Sequence, residues 1–579
     1  MKLQINKTTK DTHYYLAETI RIGDKTKTVN IKKFGTYSDL SKIHEDPEAH
    51  LRKIVKELND SIDNSKFKAS IDIDTNKTLN PDYKVGTSNL LNIGHFFLNE
   101  VYKKLNLPKF FKDLDKEGNH TFSTNEIIYA LLINRILDPK SKLGAYNSLN
   151  NYFLNYKFDE HHVYRALDVL FNNLDELQSH LYKESNKTFK RDTRVLYYDC
   201  TNYHFEIFKE DELRKYGIAK NGKRKPLVQM GLFMDKEGLP LYFGLTPGNV
   251  NEQTTAIPLE KNIIKDLGVN NFIYVADGGL NSNKIRDFNS FGGRDYIVVQ
   301  PLKSLPKKTL DLLMTDENWQ SIKTGNLHNI NDIKDDSNDT YYKVLWINNP
   351  RDLGIESINS KGRISKNLDF SQRLIIKYDK KYEKLARERR LNKLEKADNL
   401  IKSNLVERKS NDDPRKYIKD IKESKINYEL DLDKIEYDQK FDGFYAYVTN
   451  LEDNVKDLLP IVKNKWEIED CFRTLKTDFK ARPVYLTKDT RITSHFAICF
   501  IALLMYKLLK KDLLTKTNKN YTINEIITTL KTLNVTPLND ALFKATYEGS
   551  ELLYDLINIY KLDVNYEYYF KKELNNLSR

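Results

Sequence analysis

Hydrophobic positions alternate along two early runs, THYYLAETIRI and TKTVNIKKF, which Gly23-Asp24-Lys25 separates. Period-two alternation around a Gly-Asp break predicts a β-hairpin over residues 12–34, closed by Gly35. A helical piece is predicted around Glu48–Leu58, and the polar stretch DNSKFKASIDIDTNKTLNPDYK reads as a linker. From about Asn89 to Lys190 the spacing turns helical, in LLNIGHFFLNEVYKKL, in Ser123–Leu137 (STNEIIYALLINRIL) and in HHVYRALDVLFNNL. Ser123 with Glu126 three residues on reads as a capping box. This block is either a DNA-binding module or a plain helical support.

Residues 194–300 return to strands. RVLYYDCTNYHFEI is one; VQMGLFMD and LPLYFGLTP are two more, joined by Lys236-Glu237-Gly238 as a hairpin turn. TTAIPLEKNIIKDLG predicts a helix, and the strands NFIYVADGG and DYIVVQ flank a short helix. Three antiparallel strands, a helix, then α/β alternation is the order found in ribonuclease-H-like domains. Residues 306–440 lose that rhythm and read as an insertion carrying a charged helix, Lys377–Leu405, with Glu383 and Arg387 in supportive i,i+4 order. The loop KSNDDPRK closes that helix. A strand, DGFYAYVT, then reopens the core, followed by a helix from about Val462 to Phe479 and a buried helix from near Thr493.

The expected architecture is an α/β ribonuclease-H-like core with an inserted domain, N-terminal β-hairpin and helical domains, and a helical C-terminal tail. The expected segments are a hairpin-and-helix module at 1–65 and a helical, DNA-binding candidate at 66–190. The core occupies 191–305 and 441–510 around the insertion at 306–440, and a Tyr-rich tail at 511–579 is a candidate dimer contact.

Composition narrows the partners. A chain of 579 residues needs several cores, and 40% hydrophobic residues suffice to build them. A net charge of +12 and a pI near 9.0 point to a polyanion, either nucleic acid or an acidic membrane surface. Composition alone leaves both open, along with a basic protein that has no such partner. Three cysteines cannot build a disulfide framework and none is spaced as a zinc knuckle, which points to a reducing cytosol. MKLQINKTTK lacks the apolar run of a signal peptide. The longest apolar stretch, Phe496–Leu509, is short for a bilayer span and is interrupted by Lys507, so it predicts a core helix. A soluble, cytoplasmic protein is expected.

The chemistry concentrates on three acids. Asp199 ends the hydrophobic run VLYYD, Asp277 ends FIYVAD before Gly278-Gly279, and Glu469 lies in the helix NKWEIEDCFRTLKTDF. Strand ends deliver carboxylates to a sheet edge where a ligand can approach. Three oxygen donors suit a hard divalent cation, and two such ions can activate a nucleophile and steady a leaving oxygen. On the helix, Ile468, Phe472, Leu475 and Phe479 form the core-facing stripe, and Lys465, Glu469, Arg473 and Lys476 share a neighbouring one. An acid among cations fits a metal ligand beside a phosphate backbone. The ordinary alternative is a solvated face with Glu469–Arg473 as an i,i+4 ion pair.

The blocks WEIEDCFRTLKTDFKARPVYLTKDTRITSHFAICFIALL, DCTNYHFE, KPLVQMGLFMDKEGLPLYFGLTPGN and YVADGGLNS resemble the insertion-sequence DDE transposases with the Y-R-E-K signature, in that family's order. The resemblance covers about residues 190–510. It implies a ribonuclease-H-like core, two Mg²⁺ ions (with Mn²⁺ as a substitute), and Asp199, Asp277 and Glu469 as the catalytic, metal-holding acids. It places the signature Lys on Lys476, facing transposon-end DNA. Val462 and Lys465 stand where the signature has Tyr and Arg, so Lys465 meets a phosphate without a bidentate fork. The implied partners are double-stranded DNA and a second copy of the chain, with no membrane and no small-molecule substrate.

Further DNA contacts are expected at Arg473, at Trp466 by stacking on a displaced base, and at the basic turn of Lys220, Lys223, Arg224 and Lys225. A solvated loop is the ordinary reading of that turn. His161-His162 and His495 are expected to be structural, and Cys200, Cys471 and Cys499 to behave as small core hydrophobes. Three other functions stay in view: a nuclease that only cuts, an inactive DNA-binding relative, and a charged-helix structural protein.

Overall fold

The computed structural model describes residues 2–9, 11–22, 25–61, 89–217, 225–349, 353, 371–403, 414–420 and 428–578. The chain divides into two compact units, Met1–Tyr83 and Lys84–Arg579. In the first, the expected hairpin strands Thr12–Ile22 and Lys25–Thr36 pair antiparallel, and a further strand, Lys2–Lys7, joins the outer edge. The predicted helix runs Pro47–Ser61 and buries Leu51 and Val55, one turn apart. Gly23, Asp24 and the linker stretch lie outside the described residues.

The second unit is a mixed α/β fold around a large central sheet. Its principal strands are β1 (Val195–His204), β2 (Pro226–Asp235), β3 (Pro240–Pro247), β4 (Phe272–Ala276), β5 (Arg294–Val299), β6 (Thr340–Ile347), β7 (Gln372–Asp379) and β8 (Phe444–Thr449). β2 pairs antiparallel with both β1 and β3, and the hairpin turn at Gly238, whose φ of 81° suits glycine, joins β2 to β3. β4 then pairs parallel to β1, and β5 parallel to β4. Beyond β5 the sheet continues antiparallel through β8, β7 and β6.

Alternation explains why the sheet is buried on both sides. Tyr197, Tyr203, Val275, Ile297, Ile375 and Tyr447 enter one hydrophobic cluster, shared with the helical block and the tail. Their neighbours Leu196, Tyr198, Tyr274, Tyr296, Leu374 and Val448 enter a second, on the other face.

Several expectations change here. The segment 306–440 does not stand wholly apart from the core, because β6 and β7 extend the central sheet. Lys377–Asp379 end β7, so the charged helix is shorter than expected, Lys380–Lys402, and Asp379 caps it by accepting from the Tyr382 amide. Glu383 pairs with Lys380 at 3.0 Å, against the expected Arg387. Most of KSNDDPRK lies outside the described residues. The tail is not purely helical: Asn534–Pro537, Leu542–Ala545 and Tyr568–Phe570 form a small sheet with Leu91–Asn92, which was expected to begin a helix.

Three helices position the site. α1 (Thr124–Leu137) starts at Ser123, whose hydroxyl accepts from the Glu126 amide; Glu126 itself accepts from the Lys157 amide, so the box is half made. α2 (Trp466–Arg473) carries Glu469 and widens into a π-helical turn, Thr474–Asp478. The predicted Val462–Phe479 helix is thus broken, Val462 lying in the last turn of a separate helix, Val455–Lys463. α3 (Asp489–Thr517) is long and apolar enough to cross a membrane, yet 94% of its most apolar window is buried inside the protein, as suits a core helix.

Candidate active site

The acids sit on two neighbouring parallel strands and on a helix laid across them. Asp277 immediately follows β4, as the sequence indicates. Asp199 does not end its strand: β1 runs on to His204 because β2 pairs with it along its whole length. β4 pairs with β1 only over Val195–Tyr197, so Asp199 stands just beyond the point where the two strands part. Such a parting opens the sheet to a ligand. Alternation puts Asp199 on the face of Tyr197 and Tyr203, toward α2. Its carboxylate accepts from the Cys200 amide at 2.7 Å.

α2 and the turn after it pack as the sequence predicts, with Ile468, Phe472, Leu475 and Phe479 all buried. Lys507, the charge that interrupts the apolar run, is an anchor for it. Its ammonium, only 7% exposed, lies 3.1 Å from both Glu467 and Asp470. Burial works against the Asp470 charge, but Lys507 and Arg473 outweigh it and hold that carboxyl below the ordinary range. Breaking such a buried pair costs about 3–5 kcal/mol, enough to keep the helix in register.

With the helix so fixed, Lys465 reaches Asp277 by a direct hydrogen bond and lies 3.9 Å from Glu469. One ammonium therefore links two of the three acids. The acid side chains are 48% and 64% exposed, open to a large substrate. The three carboxylates do not crowd within 4.8 Å of one another; among the described residues only Asp159, His161 and His162 meet that spacing. An all-carboxylate set open to solvent fits Mg²⁺ or Mn²⁺, which bind oxygen and keep several waters.

Of the expected cationic stripe, Lys465 and Glu469 stay i,i+4 neighbours, while Lys476 lies in the π-helical turn. The Glu469–Arg473 pair is not formed, since Arg473 pairs with Asp470. Lys476, displaced by the π-helical turn, donates to Thr201 on β1, two residues past Asp199. Strand alternation placed Thr201 beside Asp199, a signal the sequence offered. Trp466 is 54% exposed and available for stacking. Val462 is buried, so it takes no part at the surface. Lys225 pairs with Glu206, while Lys220, Lys223 and Arg224 lie outside the described residues. The cysteines are free and buried. His495 is a core histidine bonded to the Ala481 carbonyl, and His162 accepts from the Asp159 amide as a helix cap.

Residues 202–505 match the family described as Transposase DDE domain, more than half of the chain. The chain belongs to the DDE transposase family. The match starts three residues after Asp199 and includes Asp277 and Glu469. No curated protein matches the sequence. Among solved structures, the cryo-EM structure of a piggyBac transposase synaptic complex with hairpin DNA is loosely similar. It has 8% identity, coverage of 84% of both chains and a TM-score of 0.36. DDE transposases use divalent metal ions and act on DNA.

Proposed function

We propose that this DDE transposase is the DNA-cutting and joining enzyme of a bacterial insertion sequence, working in the cytoplasm. In this reading it binds terminal inverted repeats and acts through Asp199, Asp277 and Glu469. The observation that carries it is the convergence on one sheet face of Asp199 and Asp277 from adjacent parallel strands, with Glu469 reached through Lys465. The strand order β3-β2-β1-β4-β5, with β1, β4 and β5 parallel, supports a ribonuclease-H-like core. The three carboxylates would hold two Mg²⁺ ions, which when bound supply activation of the attacking oxygen and charge stabilisation at the leaving one.

The chain's own groups divide the remaining work. Lys476 meets a backbone phosphate beside Asp199 and so fixes the register of the DNA strand against β1. Lys465 balances Asp277 and Glu469 and offers a positive charge to the same backbone. Trp466 presents an open ring to a base. Arg473 adds a solvated cation on the rim. A nuclease on this scaffold would cut without joining, so transfer of a cut 3′ end to a second DNA molecule separates the two readings.

Joining two ends to one target needs two pockets, which a symmetric homodimer supplies. Protomers of net charge +12 repel until DNA neutralises them. Light scattering is therefore expected to find monomer or weak dimer in the free protein and two protomers on paired ends; one protomer performing complete transfer would rule the dimer out.

A further inference from the structure

The helix that carries Glu469 ends in an unusually well-fixed turn. Lys480 adopts a left-handed φ of 44°, a place where glycine is the ordinary occupant. The Ala481 amide donates back to the Leu475 carbonyl at 2.8 Å. Arg135, from α1 and 4% exposed, donates to the Phe479 carbonyl at 2.9 Å, to Lys480 at 3.1 Å and to Lys140 at 3.2 Å. His495, equally buried, bonds the Ala481 carbonyl at 2.9 Å. These bonds satisfy carbonyls that a helix end otherwise leaves open, and they hold a backbone conformation that costs about 1–3 kcal/mol.

The residue that emerges from this turn is Arg482. Its guanidinium donates to His204 at 2.9 Å, at the far end of β1. Among the described residues no carboxylate pairs with it, so its charge is not neutralised. Lys476, on the other side of the turn, reaches Thr201 on the same strand and lies 5.6 Å from the ring of Tyr203, between the two contacts. Thr201 and His204 are three residues apart on β1, so their side chains leave opposite faces of the strand, His204 at its last position.

We infer that Arg482 is a phosphate-binding residue in addition to Lys476, set by the Arg135–His495 turn beside the end of β1 beyond Asp199. The inference rests on the transposase reading and adds to it a contact and the device that fixes it. Arg482 forms a bidentate fork suited to a phosphate, while its bond to His204 uses one donor of five. Arg135 and His495 are positioning residues, buried and out of reach of DNA.

The test is the salt dependence of binding to a fluorescein-labelled linear DNA duplex of mixed sequence. Arg482→Ala is expected to weaken binding about tenfold and to lower the slope of log K against log salt by about 0.9, one phosphate contact. Arg482→Lys keeps the charge and is expected to keep the slope. Arg482→Ala binding with unchanged affinity and slope overturns the inference. So does Arg482→Lys losing as much slope as Arg482→Ala, because the guanidinium would then matter only for holding His204. Unchanged protein that binds no DNA overturns the transposase reading as well, which keeps the two failures apart.

Discussion

Asp277→Asn is expected to lower DNA cleavage by about 10⁴-fold while DNA binding stays as tight or tightens. Asparagine keeps the shape at the end of β4 and can still accept from Lys465. It removes the negative charge on which divalent-metal binding depends. The same loss of charge reduces repulsion against DNA phosphates, which is why affinity holds or rises. Cleavage by a quenched-duplex assay, beside binding by anisotropy, checks both halves. Equal losses of cutting and binding would mean that Asp277 holds the fold and has no chemical role.

Chelation is expected to have an effect as large. Excess EDTA should abolish cleavage, and added Mg²⁺ or Mn²⁺ should restore it, because in the proposed mechanism the ions would be held by carboxylates, of which Asp277 and Glu469 are exposed. Thermal stability should hardly change: the core rests on the two hydrophobic clusters that bury the sheet, and the acids lie at its edge. Full cutting in excess EDTA contradicts a metal-dependent mechanism.

The site was legible in the sequence where local pattern and chemistry coincide. FIYVAD combines a hydrophobic strand with a terminal acid, VLYYD marks a strand that carries one, and the apolar positions Ile468, Phe472, Leu475 and Phe479 are all buried. What escaped depends on partners distant in sequence. β1 continues past Asp199 because β2 lies along it, which VLYYD alone does not reveal. β6 and β7 join the central sheet although 24 residues separate Ile347 from Gln372, so no hairpin signal links them. The Lys465–Asp277 and Lys476–Thr201 contacts each span well over a hundred residues, and the π-helical turn moves Lys476 off the stripe that ideal helix geometry gives it. Lys507 looked like a break in an apolar run; only its position opposite Glu467 and Asp470 explains a buried ammonium there. Arg482 gave no signal by itself, since its role follows from a turn held by Arg135 in another part of the chain.

The most direct measurement is a strand-transfer reaction. Duplexes copied from the DNA flanking the gene, each ending at its inverted repeat, are incubated with the protein, Mg²⁺ and a supercoiled plasmid. The predicted result is covalent joining of the 3′ ends to the plasmid by the unchanged protein, and none by Asp277→Asn. Cutting with no joined product, or joining that survives Asp277→Asn undiminished, would contradict a transposase acting through these three acids.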